Sequence, residues 1–173
     1  MCSGWVRDGI LGAALVTASR GWFVFPCRGK LPLTRHGFKA ASVESADIET
    51  WWAEYPDATI GVSCGQSGLV VLDLDKKPGV DGETMLHDIL GGLGAGWPDT
   101  LTSRTPSGGL HLFFRHDHTE YKIANSASMI APGIDVRGDG GYVITPHHVL
   151  KPENTLGLIR TRASSLCRAG RSS

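Results

Sequence analysis

Apolar residues recur along the chain with two spacings, one typical of helices and one typical of strands. Ile10, Ala13, Ala14 and Val16 follow a near-helical spacing, and Gly21 stands where such a helix would end. Shorter apolar runs, bounded by glycine, proline or small polar residues, have the length of strands. The pattern predicts helices over residues 5–20, 45–55 and 81–90, and strands over residues 22–25, 59–63, 69–74, 100–104, 110–115, 134–137 and 142–145.

Particular residues mark where several of these elements begin or end. Pro26 is expected to end the first strand, and residues 26–44 are then predicted to be irregular, with Lys30 in a basic loop. Ser45 is the predicted N-cap of the second helix. The glycine-rich residues 138–141 predict a hairpin between the last two strands, because such turns need positive φ. The order of elements predicts an α+β fold, with helices packed on a mostly antiparallel sheet.

The C-terminal part of the chain has a different composition. Beyond residue 150 the apolar periodicity fades, and arginine, serine and alanine dominate residues 151–173. We therefore expect one folded domain over residues 1–150 and a basic, flexible tail over residues 151–173. A chain of 173 residues is long enough to fold without a disulfide or a structural metal.

Composition excludes several classes of protein. With 41% hydrophobic and 20% charged residues the chain is not wholly disordered, and no apolar run approaches the ~20 residues of a membrane span. The first twenty residues mix charges with apolar positions, unlike a secretion signal. The four cysteines lie far apart without a CxxC pair, which argues against zinc ribbons and redox dithiols. We expect a cytoplasmic protein with free thiols and no membrane partner.

The zero net charge conceals an uneven distribution of charged residues. Residues 1–40 carry six Lys or Arg and one Asp, whereas residues 41–150 carry six Lys or Arg and fifteen Asp or Glu. Residues 151–173 carry five Lys or Arg against one Glu. This pattern permits an acidic, metal-binding centre beside basic surfaces that attract phosphates, although scattered surface charge would give it too.

The strand predicted over residues 69–74 leads into an Asp-x-Asp motif. Side chains alternate along a strand, so Asp73 and Asp75 share one face and Leu72 and Leu74 the other. Two carboxylates on one face repel each other, so removing one would be expected to raise the stability of the metal-free protein. A divalent cation that prefers oxygen ligands would bind both carboxylates and so offset their repulsion. The alternative is a strand that simply runs out into solvent.

Two further motifs carry candidate chemistry. In residues 105–114 a turn that contains Ser107 and Gly109 leads into a strand on which His111 is the first polar residue. Backbone N–H groups of such a turn can bind an anion, and a histidine can donate to a phosphate oxygen; a plain hairpin loop is the alternative. In residues 133–138, Asp135 and Arg137 share one face, as a phosphate-directed pair or an ordinary surface ion pair. Together the motifs fit a site for two metal ions and a phosphorylated substrate.

The three motifs occur in an order that is similar to a known family. Leu72-Asp73-Leu74-Asp75, Gly109-Leu110-His111 and Ile134-Asp135 resemble the motifs of the bifunctional DNA primase/polymerase (Prim-Pol) domain of the archaeo-eukaryotic primase superfamily. The resemblance covers about residues 9–150. The neighbouring segments that also match are Gly21-Trp22, Phe25-Pro26, Gly29-Lys30, Trp51-Trp52, Thr105-Pro106, Pro132-Gly133 and Gly141-Tyr142.

The resemblance implies a fold and a set of metal ligands. The implied fold is an RRM-like primase/polymerase core sheet with packed helices and an additional N-terminal α/β unit. Asp73, Asp75 and Asp135 would be the catalytic carboxylates that bind two Mg²⁺ or Mn²⁺ ions.

The resemblance also implies how the nucleotide would be held. His111, with Ser107 and the turn backbone at Gly109, would contact the triphosphate. Charge and position, rather than the resemblance, make Arg137 and Lys30 further candidates for phosphate contacts.

The implied activity is template-directed transfer of dNTPs or NTPs on single-stranded or primed DNA, in phage or plasmid-type replication. The chain contains no Gly-x-x-x-x-Gly-Lys-Ser/Thr segment, so any replicative helicase would be a separate partner. Two alternatives stay open. One is a non-catalytic relic that binds nucleotide or single-stranded DNA, and the other is a glycosyltransferase that uses Asp-x-Asp to hold a nucleotide diphosphate.

Overall fold

The computed structural model describes residues 9–116 and 121–145. In this part of the chain helices and antiparallel sheets occur together, which confirms the predicted α+β class. The helices are α1 (Ile10–Ala18), α2 (Ser45–Glu54), α3 (Gly82–Gly92) and a 3-10 helix (Gly37–Ala40). The strands are β1 (Val24–Arg28), β2 (Leu31–Pro32), β3 (Thr59–Ser63), β4 (Leu69–Leu74), β5 (Lys76–Lys77), β6 (Val80–Asp81), β7 (Leu101–Arg104), β8 (Leu110–Arg115), β9 (Ser126–Ala131), β10 (Ile134–Arg137) and β11 (Tyr142–Thr145).

A four-stranded sheet with the order β11-β3-β1-β2 packs against α1 and α2. Ala14 of α1 and Ile48 of α2 are fully buried in one cluster with Val24 and Val62 of the sheet. Trp52 lies in the same cluster, where its indole N–H donates to the carbonyl of Ala58 at 3.1 Å. Burial of these apolar side chains therefore holds both helices on one face of the sheet.

A five-stranded sheet with the order β7-β8-β4-β10-β9 contains the three motifs of the sequence. Leu86 of α3 packs on one face with Leu74, Leu110 and Ile134, which alternate with the polar positions of their strands. On the opposite face Phe113 belongs to the cluster that includes the four-stranded sheet. The polar motif residues therefore lie on the face that is turned away from α3.

The predicted hairpin over residues 138–141 is wrong. The turn forms, with Gly140 at φ 81° and the Gly141 N–H donating to the Gly138 carbonyl at 3.0 Å. However, β10 pairs with β4 and β9, whereas β11 pairs with β3 in the other sheet. Because both edges of β10 are occupied, the chain leaves this turn for the four-stranded sheet, and the turn joins the two sheets.

The prediction that Pro26 ends the first strand is also wrong, because β1 continues to Arg28. The Pro26 carbonyl accepts from the Leu33 N–H at 2.9 Å. The side of β1 on which Pro26 has no N–H to donate therefore faces the two-residue strand β2. Proline is tolerated at such a position, since little ladder pairing is lost there. Residues 26–44 are therefore less irregular than predicted, and Lys30 lies in the tight turn between β1 and β2.

Other boundaries differ by smaller amounts. The N-cap of α2 is Glu44 rather than Ser45, and the Ser42 hydroxyl accepts from the Glu44 N–H at 3.0 Å and donates to Asp47 at 2.7 Å. The sequence pattern also missed β2, β9 and the β5–β6 ribbon, whose residues are short, polar or exposed. In the described residues no helix has the length and apolar character needed to cross a membrane. The predicted boundary at residue 150 and the tail over 151–173 lie outside the described residues.

Candidate active site

Strand register brings the three motifs side by side. Asp73 on β4 lies directly opposite His111 on β8 and directly opposite Asp135 on β10. Directly opposed residues of an antiparallel pair have side chains on the same face. Residues that are far apart along the chain therefore meet in one row across the middle of the five-stranded sheet.

Asp73 is held by two neighbouring side chains. Its Oδ1 lies 3.3 Å from His111 Nε2, and its Oδ2 lies 3.4 Å from a guanidinium nitrogen of Arg137. Burial raises the pKa of Asp73, but its contacts with His111 and Arg137 outweigh this effect and hold the pKa below its ordinary value. Asp73 is therefore a carboxylate at neutral pH although its side chain is only 15% exposed.

Asp135 has contacts on both of its oxygens. Arg137 donates to Oδ2 at 2.8 Å, and the backbone N–H of Ser128 donates to Oδ1 at 2.9 Å. Ser128 has φ 50°, and the pairing of β9 with β10 shifts register between Ile134 and Val136. This irregularity releases the Ser128 N–H from the ladder and lets it bind the carboxylate.

Asp75 follows β4 immediately and contacts a lysine that the sequence analysis missed. Lys77 Nζ lies 2.7 Å from Asp75 Oδ2, and both side chains are more exposed than that of Asp73. The hydrogen bond and charge of Asp75 raise the pKa of Lys77. Lys77 stands two residues after Asp75, and residues two apart in an extended chain share a face. The sequence could therefore have indicated this contact.

The small-residue turn over 105–109 packs against the end of β4. Gly108 has φ 88°, and its N–H donates to the Thr105 carbonyl at 2.9 Å. A Cβ on Gly109 would lie 2.2 Å from the carbonyl oxygen of Leu74, so only glycine allows this approach. The hydroxyls of Thr105 and Ser107 lie 3.0 Å apart at the tip of the turn.

These elements surround a cavity of about 680 Å³. Six of the eight site residues that the sequence predicts line it, and the two sheets both contribute. Asp135 and Gly109 do not line the cavity, but Asp135 contacts Arg137 and Gly109 packs on β4. The six that line it are Lys30, Asp73, Asp75, Ser107, His111 and Arg137.

The cavity also has walls that the sequence analysis did not assign. The Tyr142 hydroxyl donates to the Lys30 carbonyl at 2.7 Å and so joins β11 to the β1–β2 turn. Asn125 accepts from the Gly138 N–H at 3.0 Å and donates to the Gly140 carbonyl at 3.4 Å, which ties it to the turn between the sheets. Both side chains line the cavity. Nothing local in the sequence distinguishes Asn125 from an ordinary loop residue.

The carboxylates are already in contact with cationic side chains. Among the described residues no three His, Cys, Asp or Glu side chains are grouped so that they would hold a metal ion as they stand. Even so, Asp73, Asp75 and Asp135 share one sheet face, and carboxylate oxygens are the ligands that Mg²⁺ and Mn²⁺ prefer. The three carboxylates therefore fit a hard divalent cation once Arg137 and Lys77 release their contacts with them.

Fold and site together define an α+β domain in which carboxylates, a lysine, an arginine and a histidine face one cavity. The family model for the N-terminal domain of bifunctional DNA primase/polymerases matches residues 14–165, and the chain belongs to this Prim-Pol family. The match extends beyond the predicted domain boundary at residue 150. Members of the family are typically metal-dependent. A comparison with curated proteins finds no match.

Proposed function

We propose that the chain is a template-directed nucleotidyltransferase, a DNA primase/polymerase that adds dNTPs or NTPs to single-stranded or primed DNA. One observation carries the proposal. The cavity has the carboxylates of Asp73 and Asp75 in its wall, together with Lys30, His111 and Arg137. Its volume of about 680 Å³ lies in the range of small-molecule sites.

Asp73, Asp75 and Asp135 would hold the metal ions, Mg²⁺ or Mn²⁺. Once bound, such ions lower the pKa of an attacking hydroxyl and stabilise charge on the reacting phosphate and on pyrophosphate. Lys77 and Arg137 would exchange their carboxylate contacts for contacts with the incoming phosphates. Without metal, these cations balance part of the carboxylate charge through their direct contacts.

His111, Ser107, Lys30 and Arg137 would bind the triphosphate. The turn at Ser107 and the β8 strand at His111 approach the cavity from the five-stranded sheet, and Lys30 approaches from the β1–β2 turn. Charged donors form short and strong hydrogen bonds to phosphate oxygens. The ligand is therefore expected to join the two sheets across the cavity.

The template strand would approach along the basic segment that includes Lys30. Arg28 ends β1, Arg35 lies between β2 and the 3-10 helix, and Lys39 lies in that helix; all three are exposed. Such a segment attracts the DNA backbone, and binding that depends on it falls steeply with salt.

Incorporation of labelled dNTPs and NTPs on primed and unprimed single-stranded DNA, with Mg²⁺ or Mn²⁺, tests the proposal. Asp73→Asn, Asp75→Asn and Asp135→Asn should each lower incorporation by roughly a hundredfold or more while the protein stays folded. Asp88→Asn is the matched control, because Asp88 is an exposed carboxylate on α3. Equal activity of all four variants, or no incorporation by the wild type, would refute the assignment.

A non-catalytic domain that binds nucleotide or single-stranded DNA is the second candidate. It is favoured by the contacts of Arg137 and Lys77 with the carboxylates, which already neutralise the charge that would attract metal. This candidate predicts binding of a fluorescent dNTP without incorporation under any metal condition. A glycosyltransferase would instead turn over sugar nucleotides, which the same protein preparation can be tested for.

A further inference from the structure

The polar row across the five-stranded sheet has a fourth member. Ser103 on β7 lies directly opposite His111 on β8, which in turn lies opposite Asp73 on β4. Asp135 on β10 completes the row. Neither the sequence motifs nor the proposed function assigns a role to Ser103.

Ser103 and His111 each have a buried polar atom without a partner. Ser103 is 3% exposed and His111 is 7% exposed. Within the described part of the chain, Ser103 Oγ and His111 Nδ1 form no hydrogen bond. They are the two buried side-chain nitrogen or oxygen atoms of which this is true there.

The ring of His111 is held on its other sides. Nε2 contacts Asp73, and the ring meets Phe113 edge-on, with a centroid distance of 6.1 Å and an interplanar angle of 78°. Phe113 itself stacks on the buried Trp22 at 5.3 Å. The imidazole is therefore confined, and Nδ1 lies on its buried side.

Two unsatisfied atoms on neighbouring residues can satisfy each other. Directly opposed residues have Cβ atoms about 4.5–5.5 Å apart, which places a serine hydroxyl within reach of the partner's Nδ1 in a suitable rotamer. Leaving either group unpaired in a buried place is costly, whereas a hydroxyl–imidazole hydrogen bond satisfies both. No other cross-strand neighbour on β7 offers Nδ1 a polar side chain at this register.

We propose that Ser103 is a positioning residue for His111. The Ser103 hydroxyl donates to Nδ1, and a neutral imidazole that accepts at Nδ1 carries its proton on Nε2. Nε2 is the nitrogen that contacts Asp73 in the wall of the cavity. Ser103 thereby keeps His111 a donor toward the carboxylate and toward a phosphate that enters the cavity.

The contact of Nε2 with Asp73 agrees with this proposal. Nε2 lies 3.3 Å from Oδ1 of Asp73, and a carboxylate oxygen accepts, so a proton on Nε2 suits this contact. The part of the proposal that concerns phosphate binding rests on the proposed function. The proposed hydrogen bond from Ser103 to Nδ1 does not, because a change of the Ser103 rotamer would form it in the protein without nucleotide.

Ser103→Thr and Ser103→Val form a matched pair for the test. The two side chains have nearly the same volume, and only threonine keeps the hydroxyl. Imidazole ¹⁵N signals of the nucleotide-free protein are recorded at about pH 8, where an ordinary histidine is neutral, and His111 is assigned from the signals missing in His111→Gln. The Nδ1 signal should match the wild type in Ser103→Thr and move downfield, toward that of an unbonded nitrogen, in Ser103→Val.

A second variant protects the test against misfolding. Ser103→Ala removes the hydroxyl without adding volume, and its Nδ1 signal should shift as in Ser103→Val. An unchanged Nδ1 signal in both variants, or a proton on Nδ1 in the wild type, overturns the proposal that Ser103 donates to Nδ1. This result does not depend on whether the protein incorporates nucleotides.

Kinetics then test the positioning role. The KM for dNTP should rise roughly three- to tenfold in Ser103→Val, with kcat within about twofold, while Ser103→Thr stays close to the wild type. Equal KM values in the matched pair overturn the positioning role even where the Nδ1 signal shifts. A wild-type protein that incorporates nothing refutes the proposed function and the phosphate-binding part of this proposal, and leaves the Nδ1 result standing.

Discussion

Replacing Asp73 by asparagine should destabilise the metal-free protein. The repulsion between Asp73 and Asp75 suggests the opposite, but the structure gives Asp73 contacts with His111 at 3.3 Å and Arg137 at 3.4 Å. Both contacts are longer than the usual 2.7–3.2 Å for an N–H···O bond. Asparagine also keeps one acceptor oxygen, and Arg137 keeps its 2.8 Å contact with Asp135. The attraction that is lost is therefore real but smaller than that of a fully buried ion pair.

We expect a loss of about 1–2 kcal/mol in the free energy of unfolding, between the values for an exposed and a buried pair. Asp75→Asn is the comparison, because it removes one exposed contact with Lys77 and should cost no more than about 0.5 kcal/mol. Unfolding by urea in the presence of EDTA, monitored by tryptophan fluorescence, measures the free energy of unfolding of both variants and of the wild type. With a slope of about 2 kcal/mol per M, the midpoint of Asp73→Asn should fall by about 0.5–1 M.

The difference in the free energy of unfolding between the wild type and Asp73→Asn should depend on pH in a defined direction. Since the pKa of Asp73 is lowered in the folded protein, its contribution to stability is complete above the unfolded pKa of about 3.9. The contribution disappears as the pH falls through the folded pKa, so wild type and Asp73→Asn should converge in acid. A variant as stable as the wild type at neutral pH, or more stable, would show that carboxylate repulsion dominates and refute this reasoning.

Three further predictions concern the cavity and the core. Lys30→Gln should raise the KM for dNTP several-fold, whereas Lys122→Gln, an exposed control whose side chain does not line the cavity, should not; equal values would remove Lys30 from the site. Gly109→Ala should destabilise by about 2 kcal/mol or more because its Cβ meets a backbone carbonyl, whereas Gly91→Ala in α3 has open space and should stabilise by about 0.5–1 kcal/mol. Thermal unfolding compares the two, and similar midpoints would contradict the close approach. The thiols of Cys27 and Cys64 are buried, and burial raises the pKa of each to about 12, so both should resist iodoacetamide until urea unfolds the protein. Peptide mass spectrometry that finds either of these two cysteines rapidly labelled in the native protein would contradict their burial.

Local sequence determined where most elements lie and which residues are candidates for the site. The bounds of β3, β4, β8, β10 and β11 are those predicted, because each is a short apolar run ended by polar or glycine residues. Alternation along an extended chain is a local property, so Asp73 and Asp75 could be assigned to one face without knowing the fold. The order of three such motifs was enough to indicate the Prim-Pol family, which the family match over residues 14–165 confirms.

Only the tertiary structure decided which strands pair. The choice of β3 rather than β10 as the partner of β11 depends on edges that β4 and β9 already occupy, and no turn sequence contains that information. The same long-range register places His111 and Asp135 on either side of Asp73, and it brings Ser103 to His111. The contacts of Asp73 with His111 and Arg137 also follow from it, so the sign of the Asp73→Asn effect on stability is set by contacts that form only when distant strands align.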